Sequence, residues 1–361
     1  MKIEDICTRI CSGGTPKSGK AEYYENGTIP WLNTKEINFN RIQATEAFIT
    51  EEGLNNSSAK WIKPHTVIVA MYGATAGRVA VAEIPLTTNQ ACCNLEVDET
   101  IADYRYIYYW LKQNFDNIAG LANGGAQQNL SAKVIRQIEI NLPDLIKQRS
   151  IANFLDSFDS KIEANAKLNG YLEELVSLMF DHLIGSCTET VPFSTYATIS
   201  SGKRPPIKSP NYTDECVFPL FGATSQMGYT SEYLTDEKLL VIGRVGTHGV
   251  VQRVSGKAWP SDNTLVIRSE HYETASQLLQ RVDYSSLNRG STQPLITQGD
   301  LKAYEVPFIN TASLERFENK SSQLMALYDH NSSESAKLTK LRDTLLPRLM
   351  SGEIDVSGVA F

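Results

Sequence analysis

No stretch of this 361-residue chain approaches the ~20 consecutive apolar residues that a bilayer-spanning helix needs. Its start, Met1-Lys2-Ile3-Glu4-Asp5, lacks the layout of a secretory signal. Cysteine is scarce. The six, Cys7, Cys11, Cys92, Cys93, Cys187 and Cys216, form no CxxC pair and have no histidine-rich neighbourhood, which argues against metal binding. Buried free thiols in a reducing cytoplasm are expected instead. The five histidines, His65, His182, His248, His271 and His330, are scattered and suggest no catalytic triad. Neither an HExxH helix nor an Asn-Pro-Pro-Tyr-type amino-methylation site occurs.

A phosphate-binding loop is missing by one residue. Gly14-Thr15-Pro16-Lys17-Ser18-Gly19-Lys20-Ala21 fits GxxxxGK[ST] except at the end, where Ala21 has no hydroxyl to hold Mg²⁺. Pro16 also removes an N–H from a loop that should donate several. Gly243-Arg244-Val245-Gly246-Thr247-His248-Gly249 lacks both the GxGxxG spacing and a long helix after it, which argues against dinucleotide binding. A chain of this size without a phosphate loop or a nucleophile constellation reads as a binding scaffold. A nucleotide-dependent DNA enzyme using Lys20 is the enzymatic rival, and a coiled-coil protein-binding adaptor the structural one.

What the chain has is itself, twice. Ile151, Phe158, Asn165, Leu172 and Met179 recur every seventh position from about 144 to 184. Adding 166 gives Phe317, Leu324, Asn331, Leu338 and Leu345, four apolar residues around the same central asparagine. Asp144 and Asn310 are N-cap types at the two starts, and Gly185 and Gly352 stand near the two ends. Two helices that pair antiparallel through these positions would place Asn165 and Asn331 in one polar layer, where buried amides fix register. Upstream, Gln128 aligns with Gln293 and Leu130 with Leu295. Thr75-Ala76-Gly77-Arg78-Val79 aligns with Thr247-His248-Gly249-Val250-Val251, Asn89 with Asn263, and Pro30-Trp31-Leu32 with Pro219-Leu220-Phe221. The drifting offset implies loops of different length on one framework.

The globular stretches read as α+β. Val67-Ile68-Val69-Ala70-Met71 and Leu239-Leu240-Val241-Ile242 are short buried strands running into glycine turns. Residues 101–115 and 273–282 are the expected helices.

With Leu142-Pro143, Gln148-Arg149-Ser150-Ile151-Ala152, Phe154-Leu155 and Asp159-Ser160-Lys161-Ile162, the chain resembles the specificity subunits of type I restriction–modification enzymes. The ending Leu341-Arg342-Asp343-Thr344-Leu345-Leu346-Pro347-Arg348-Leu349-Met350-Ser351-Gly352-Glu353-Ile354, with Pro30-Trp31 and Gly222-Ala223-Thr224, fits the same pattern. The second helix departs from it at its entrance, where Val306-Pro307-Phe308 leads to Leu314-Glu315-Arg316 without the usual glutamine. The resemblance implies two target-recognition domains, 1–143 and 187–309. It also implies two conserved spacer helices, 144–186 and 310–361 with its tail, which pair antiparallel and set the spacing of a bipartite double-stranded DNA site. Two modification subunits carrying S-adenosylmethionine would dock on them. Restriction subunits would supply ATP- and Mg²⁺-dependent cleavage. The chain itself would bind no cofactor and catalyse nothing.

Charge constrains that expectation. The formal net charge is −7. Residues 1–143 hold 13 basic and 15 acidic groups, and residues 187–308 hold 11 and 12. Any positive footprint is local, and affinity for DNA without partners should be weak. Side chains that match groove-edge donors and acceptors are expected on loops. The first-half candidates are Lys17, Lys20, Arg78, Asn89, Gln90, Gln127 and Gln128. Those of the second half are Lys203, Arg204, Arg244, His248, Asn263, Arg289 and Gln293.

Overall fold

The computed structural model describes residues 1–121, 130–289, 295–356 and 358. It forms two compact units, Met1–Glu163 with Ser335–Phe361, and Ala164–Glu334. Each unit contains a globular part and a stretch of both long helices. No helix among the described residues is long and apolar enough to cross a membrane.

In the first unit the strands are β1 (Cys7–Ser12), β2 (Ile29–Leu32), β3 (Asn40–Ile42), β4 (Ala47–Ile49), β5 (Trp61–Ile62), β6 (Val67–Ala70), β7 (Val79–Ala82), β8 (Leu86–Thr88) and β9 (Cys92–Val97). They form a five-stranded sheet ordered β1-β9-β6-β7-β3 and a four-stranded sheet ordered β4-β2-β8-β5. Every residue of β6 and β7 is buried, so these central strands read as continuous apolar runs, not as alternations. Short helices α1 (Glu51–Asn55), α2 (Tyr104–Gln113), α3 (Phe115–Gly120) and α4 (Ala132–Arg136) cover the sheets. The helix expected over 101–115 starts later because Asp103 caps it, accepting from the amides of Arg105 and Tyr106. It breaks at Asn114, where α3 begins.

In the second unit the strands are β10 (Thr190–Pro192), β11 (Thr198–Ser201), β12 (Phe218–Phe221), β13 (Gln226–Thr230), β14 (Thr235–Asp236), β15 (Leu239–Gly243), β16 (Gln252–Val254), β17 (Lys257–Pro260), β18 (Thr264–Arg268) and β19 (Glu305–Pro307). The sheet orders β11-β18-β15-β16 and β13-β12-β17-β14 repeat those of the first unit strand for strand, save β3. Even the mixed directions recur. β2 pairs parallel with β8 and antiparallel with β4, just as β12 pairs parallel with β17 and antiparallel with β13.

The long helices are α5 (Leu145–Ile184) and, after α6 (Tyr272–Gln280) and α7 (Gln298–Ala303), α8 (Thr311–Met350). Asp144 Oδ1 accepts the Lys147 amide at 2.9 Å, and Asn310 Oδ1 accepts the Ser313 amide at 3.0 Å, so each cap satisfies a donor the helix cannot. Of the expected pairing positions, Ile151, Asn165, Leu172, Phe317 and Asn331 are buried; Phe158, Met179, Leu324, Leu338 and Leu345 are half-buried. A second stripe, four residues on, completes the seam. It comprises Leu155, Ile162, Asn169, Val176 and Leu183 on α5, and Ser321, Tyr328, Ser335, Arg342 and Leu349 on α8. Within the first unit Leu155 and Leu349 enter the core formed by Val67, Val69, Tyr106 and Leu111. Within the second, Val176, Phe180 and Phe317 pack with Leu240, Ile242, Ile267 and Leu278.

Asn165 and Asn331 do lie in one polar layer. Asn165 Nδ2 donates to Glu334 Oε2 at 2.8 Å and to the Asn331 carbonyl at 3.4 Å; Asn331 Nδ2 donates to Asn169 Oδ1 at 2.9 Å. The missing glutamine at the entrance to α8 is replaced one turn later. Gln148 Oε1 accepts the Asp103 amide at the start of α2. In the second unit the Glu318 carboxylate accepts the amides of Glu273 and Thr274 at the start of α6, at 2.9 and 3.1 Å.

Candidate nucleic-acid interface

The parallel strands β2 and β8 end together at Leu32 and Thr88, and β12 and β17 end together at Phe221 and Pro260. At each end an entering loop crosses the pair. Gly13 and Gly14 donate their amides to the carbonyls of Cys92 and Thr88; Gly202 and Lys203 donate theirs to Thr264 and Pro260. The crossing is close: a Cβ on Gly13 would lie 2.1 Å from the Thr88 oxygen, and one on Gly202 would lie 2.2 Å from the Ser261 oxygen. These bonds make Gly13 equivalent to Gly202, and Gly14 to Lys203.

An indole pins the loop in both halves, but from opposite strands. Trp31, on β2, donates Nε1–H to the Gly14 carbonyl at 3.0 Å. Trp259, on β17, donates to the Lys203 carbonyl at 2.7 Å. In register Trp31 faces Thr87 and Trp259 faces Leu220, so the two tryptophans occupy mirrored places and make one equivalent bond. A neighbouring turn is also shared: Gly77 and Gly249 both have φ of +86°, a conformation that favours glycine.

The hydrogen bonds correct two of the sequence alignments. Asn89 donates its amide to Leu32 and accepts from Cys92, as Ser261 does with Phe221 and Thr264, so Asn89 matches Ser261 and not Asn263. Leu130 and Ile296 are each wholly buried and donate to the carbonyls of Met71 and Arg244, so Leu130 matches Ile296 and not Leu295. Backbone bonds set both registers whatever the side chain, which is why residue identity misled.

The candidate readers divide into engaged and available side chains. Asn89 is spent on the framework: Oδ1 accepts from the Ala91 amide at 3.1 Å and Nδ2 donates to Asn33. Arg78 donates to Asn38 Oδ1 at 2.9 Å. Lys20 pairs with Glu22 at 3.1 Å and lies over the Tyr23 ring; hydrogen bonding to Tyr23, then to Glu22, holds its ammonium above the ordinary lysine range. Within the stretch that approaches a phosphate-loop pattern, the Gly14 amide is bonded inward to the Thr88 carbonyl and the Lys20 amide to the Lys17 carbonyl. His248 turns inward, with Nδ1 3.1 Å from the Gly243 carbonyl. Arg289 pairs with Asp300, whose carboxyl is held below its usual range by the Thr297 hydroxyl and then by Arg289. Lys17, Lys203, Arg204 and Asn263 are exposed, and Arg244 is half-buried. Gln90 is exposed and accepts a hydrogen bond from the Thr15 hydroxyl. Gln127, Gln128 and Gln293 lie outside the described residues. Thr15, Asn33 and Asn38 were missed by sequence reasoning. Their only signal was proximity to Pro30-Trp31 and the glycine pair.

Fold and site together define a twice-repeated α+β unit that displays loop polar groups at the end of a parallel strand pair, each copy backed by the same two long helices. Residues 1–174 match the family described as type I restriction modification DNA specificity domain. Along 98% of its length the chain is 25% identical to the type I restriction enzyme MjaIX specificity subunit of Methanocaldococcus jannaschii, covering 93% of that protein. It is 30% identical, over 41% of its length and 38% of the relative's, to the EcoR124I/EcoR124II specificity subunit of Escherichia coli. The crystal structure of the type I restriction-modification system S subunit from M. genitalium superposes with a TM-score of 0.65 at 20% identity, covering 97% of this chain and 95% of that one, and so shares its fold. The chain is thus similar to type I restriction enzyme specificity subunits, through the specificity domain at residues 1–174 and through nearly its whole length.

Proposed function

We propose that this chain is the sequence-reading subunit of a type I restriction–modification complex in the cytoplasm, and that it catalyses nothing itself. The observation that carries this reading is the repetition itself. One framework, hydrogen bond for hydrogen bond, is built twice, while the loops at the equivalent strand ends carry different polar side chains. Two reading heads of different specificity suit a bipartite, asymmetric duplex site. The partners are double-stranded DNA, two modification subunits docked on α5 and α8, and restriction subunits. S-adenosylmethionine, ATP and Mg²⁺ belong to those partners.

Local charge supports a partner-dependent grip. Lys17, Lys203, Arg204 and Lys208 are exposed and have no acidic partner among the described residues, yet the chain carries −7 overall. Phosphate contacts by a few such groups position a protein without holding it tightly. The test is selection of bound duplexes from a random pool by the chain with its modification subunits, together with a methyl-transfer assay of the chain alone. A bipartite motif from the complex, and no methyl transfer by the chain alone, are expected. Transfer by the isolated chain, or no motif from the complex, would sink the proposal.

A further inference from the structure

We propose that Gln90 and Arg204 are the base-reading side chains of the two half-sites, Gln90 taking an adenine and Arg204 a guanine. The inference rests on the DNA-reading role above and names the residues that carry it. The two halves act as controls on each other. A side chain consumed by the common framework is architecture, which removes Asn89 and its buried counterpart Ser261. Arg78, Lys20, His248 and Arg289 each bond a neighbour.

Of the side chains left, Gln90 and Arg204 carry planar hydrogen-bonding groups on the pinned loop and at the end of the strand beneath it, where Lys17 and Lys203 offer only point charges. Thr15 and Arg204 are equivalent: each follows the residue whose carbonyl the indole holds, Gly14 and Lys203. Each also precedes a proline, Pro16 and Pro205, which stiffens the loop. In the first half the Thr15 hydroxyl donates to Gln90 Oε1 and so orients the amide. Among the described residues the Gln90 NH₂ and the second lone pair of Oε1 have no partner, and they form the donor–acceptor pair that matches adenine N7 and N6–H. In the second half Arg204 is exposed, with no side-chain partner among the described residues, and its planar fork matches guanine O6 and N7. Asp262 stands where Gln90 does in the first half, so the reading role passes from the strand end to the crossing loop.

The test is the methylation motif written by the full complex carrying each variant. Gln90→Ala should cut discrimination at one base of one half-site by roughly ten- to hundred-fold and leave the other half-site unchanged. Arg204→Ala should do the same at one base of the opposite half-site, and Arg204→Gln should move preference there from guanine towards adenine. Gln90→Asn and Arg204→Lys, which shorten the amide or lose the fork, carry the same prediction should an alanine variant fold poorly. An unaltered motif in either variant overturns that residue's assignment, as does a change in both half-sites at once. A wild-type complex that writes no motif would instead overturn the DNA-reading role, so the two failures are distinguishable.

Discussion

Trp31 and Trp259 reach equivalent carbonyls from opposite strands, which indicates that the bond, not the side chain's place in the sequence, is what the fold requires. Trp31→Phe keeps the ring but leaves the Gly14 carbonyl unpaired in a buried place, at a cost of about 1–3 kcal/mol. Thermal melting should show that loss, and base discrimination should weaken in one half-site only. Thiols give a second residue-scale prediction. Burial pushes Cys7 and Cys93 up to about 12. Their folded values lie above the unfolded value of ~8.5, so their contribution to stability is fully present below that pH and is lost as pH rises from there towards 12. Melting temperatures should therefore hold from pH 7 to 8 and fall from pH 9 upward; a flat profile to pH 10.5 would contradict it. The engaged and available polar side chains could not be separated in the sequence. Asn89 and Gln90 are adjacent amides, and only the fold shows that one is bonded inward while the other faces out.

At the scale of elements, the long helices and central strands were legible because burial imposes periods on them. β6 and β15 are apolar throughout since both faces are covered, and one seven-residue stripe of α5 and α8 is plainly apolar. The second stripe was hidden, because Ser321, Tyr328 and Arg342 do not look like seam residues. Arg342 belongs there through its ion pair with Asp159, which also accepts from the Tyr109 hydroxyl at 2.5 Å. Neighbouring Asp156 pairs with Arg41 and, at 3.2 Å, with Arg105. Burial opposes the charge on Arg41, but Asp156 and then Glu83 outweigh it, so the guanidinium stays protonated. Arg41→Ala would leave Glu83 without its ion pair and Asp156 with only Arg105 and the Tyr109 hydroxyl, and should cost about 1–3 kcal/mol, less than breaking a fully buried pair. Two substitutions two positions apart test which face of α5 is buried. Phe180→Ala should cost about 3–5 kcal/mol, since Phe180 is fully buried. Leu178→Ala, on a residue 59% exposed, should stay within about 0.5 kcal/mol. Equal losses in denaturant titration would contradict the observed face.

At the scale of the whole molecule, the spacer role that the family resemblance implies for the helices makes a separable prediction. Each is one unbroken element of 40 residues, roughly 60 Å long at 1.5 Å per residue. Four residues inserted near Asn165, with α8 extended to match, add roughly 6 Å, equivalent to about two base pairs at ~3.4 Å each. The spacer in the recognised site should lengthen accordingly, with some affinity lost to the mismatch in rotation, and the half-site bases should stay the same. The bases themselves were not legible in the sequence, because side chains that bond inward cannot be told there from those that face out. The most direct test of the central claim is methylome sequencing of cells that express the modification subunits with and without this chain. A single bipartite motif, methylated only when the chain is present, is the predicted result. Methylation at the same sites without the chain, or no defined motif with it, would contradict the account.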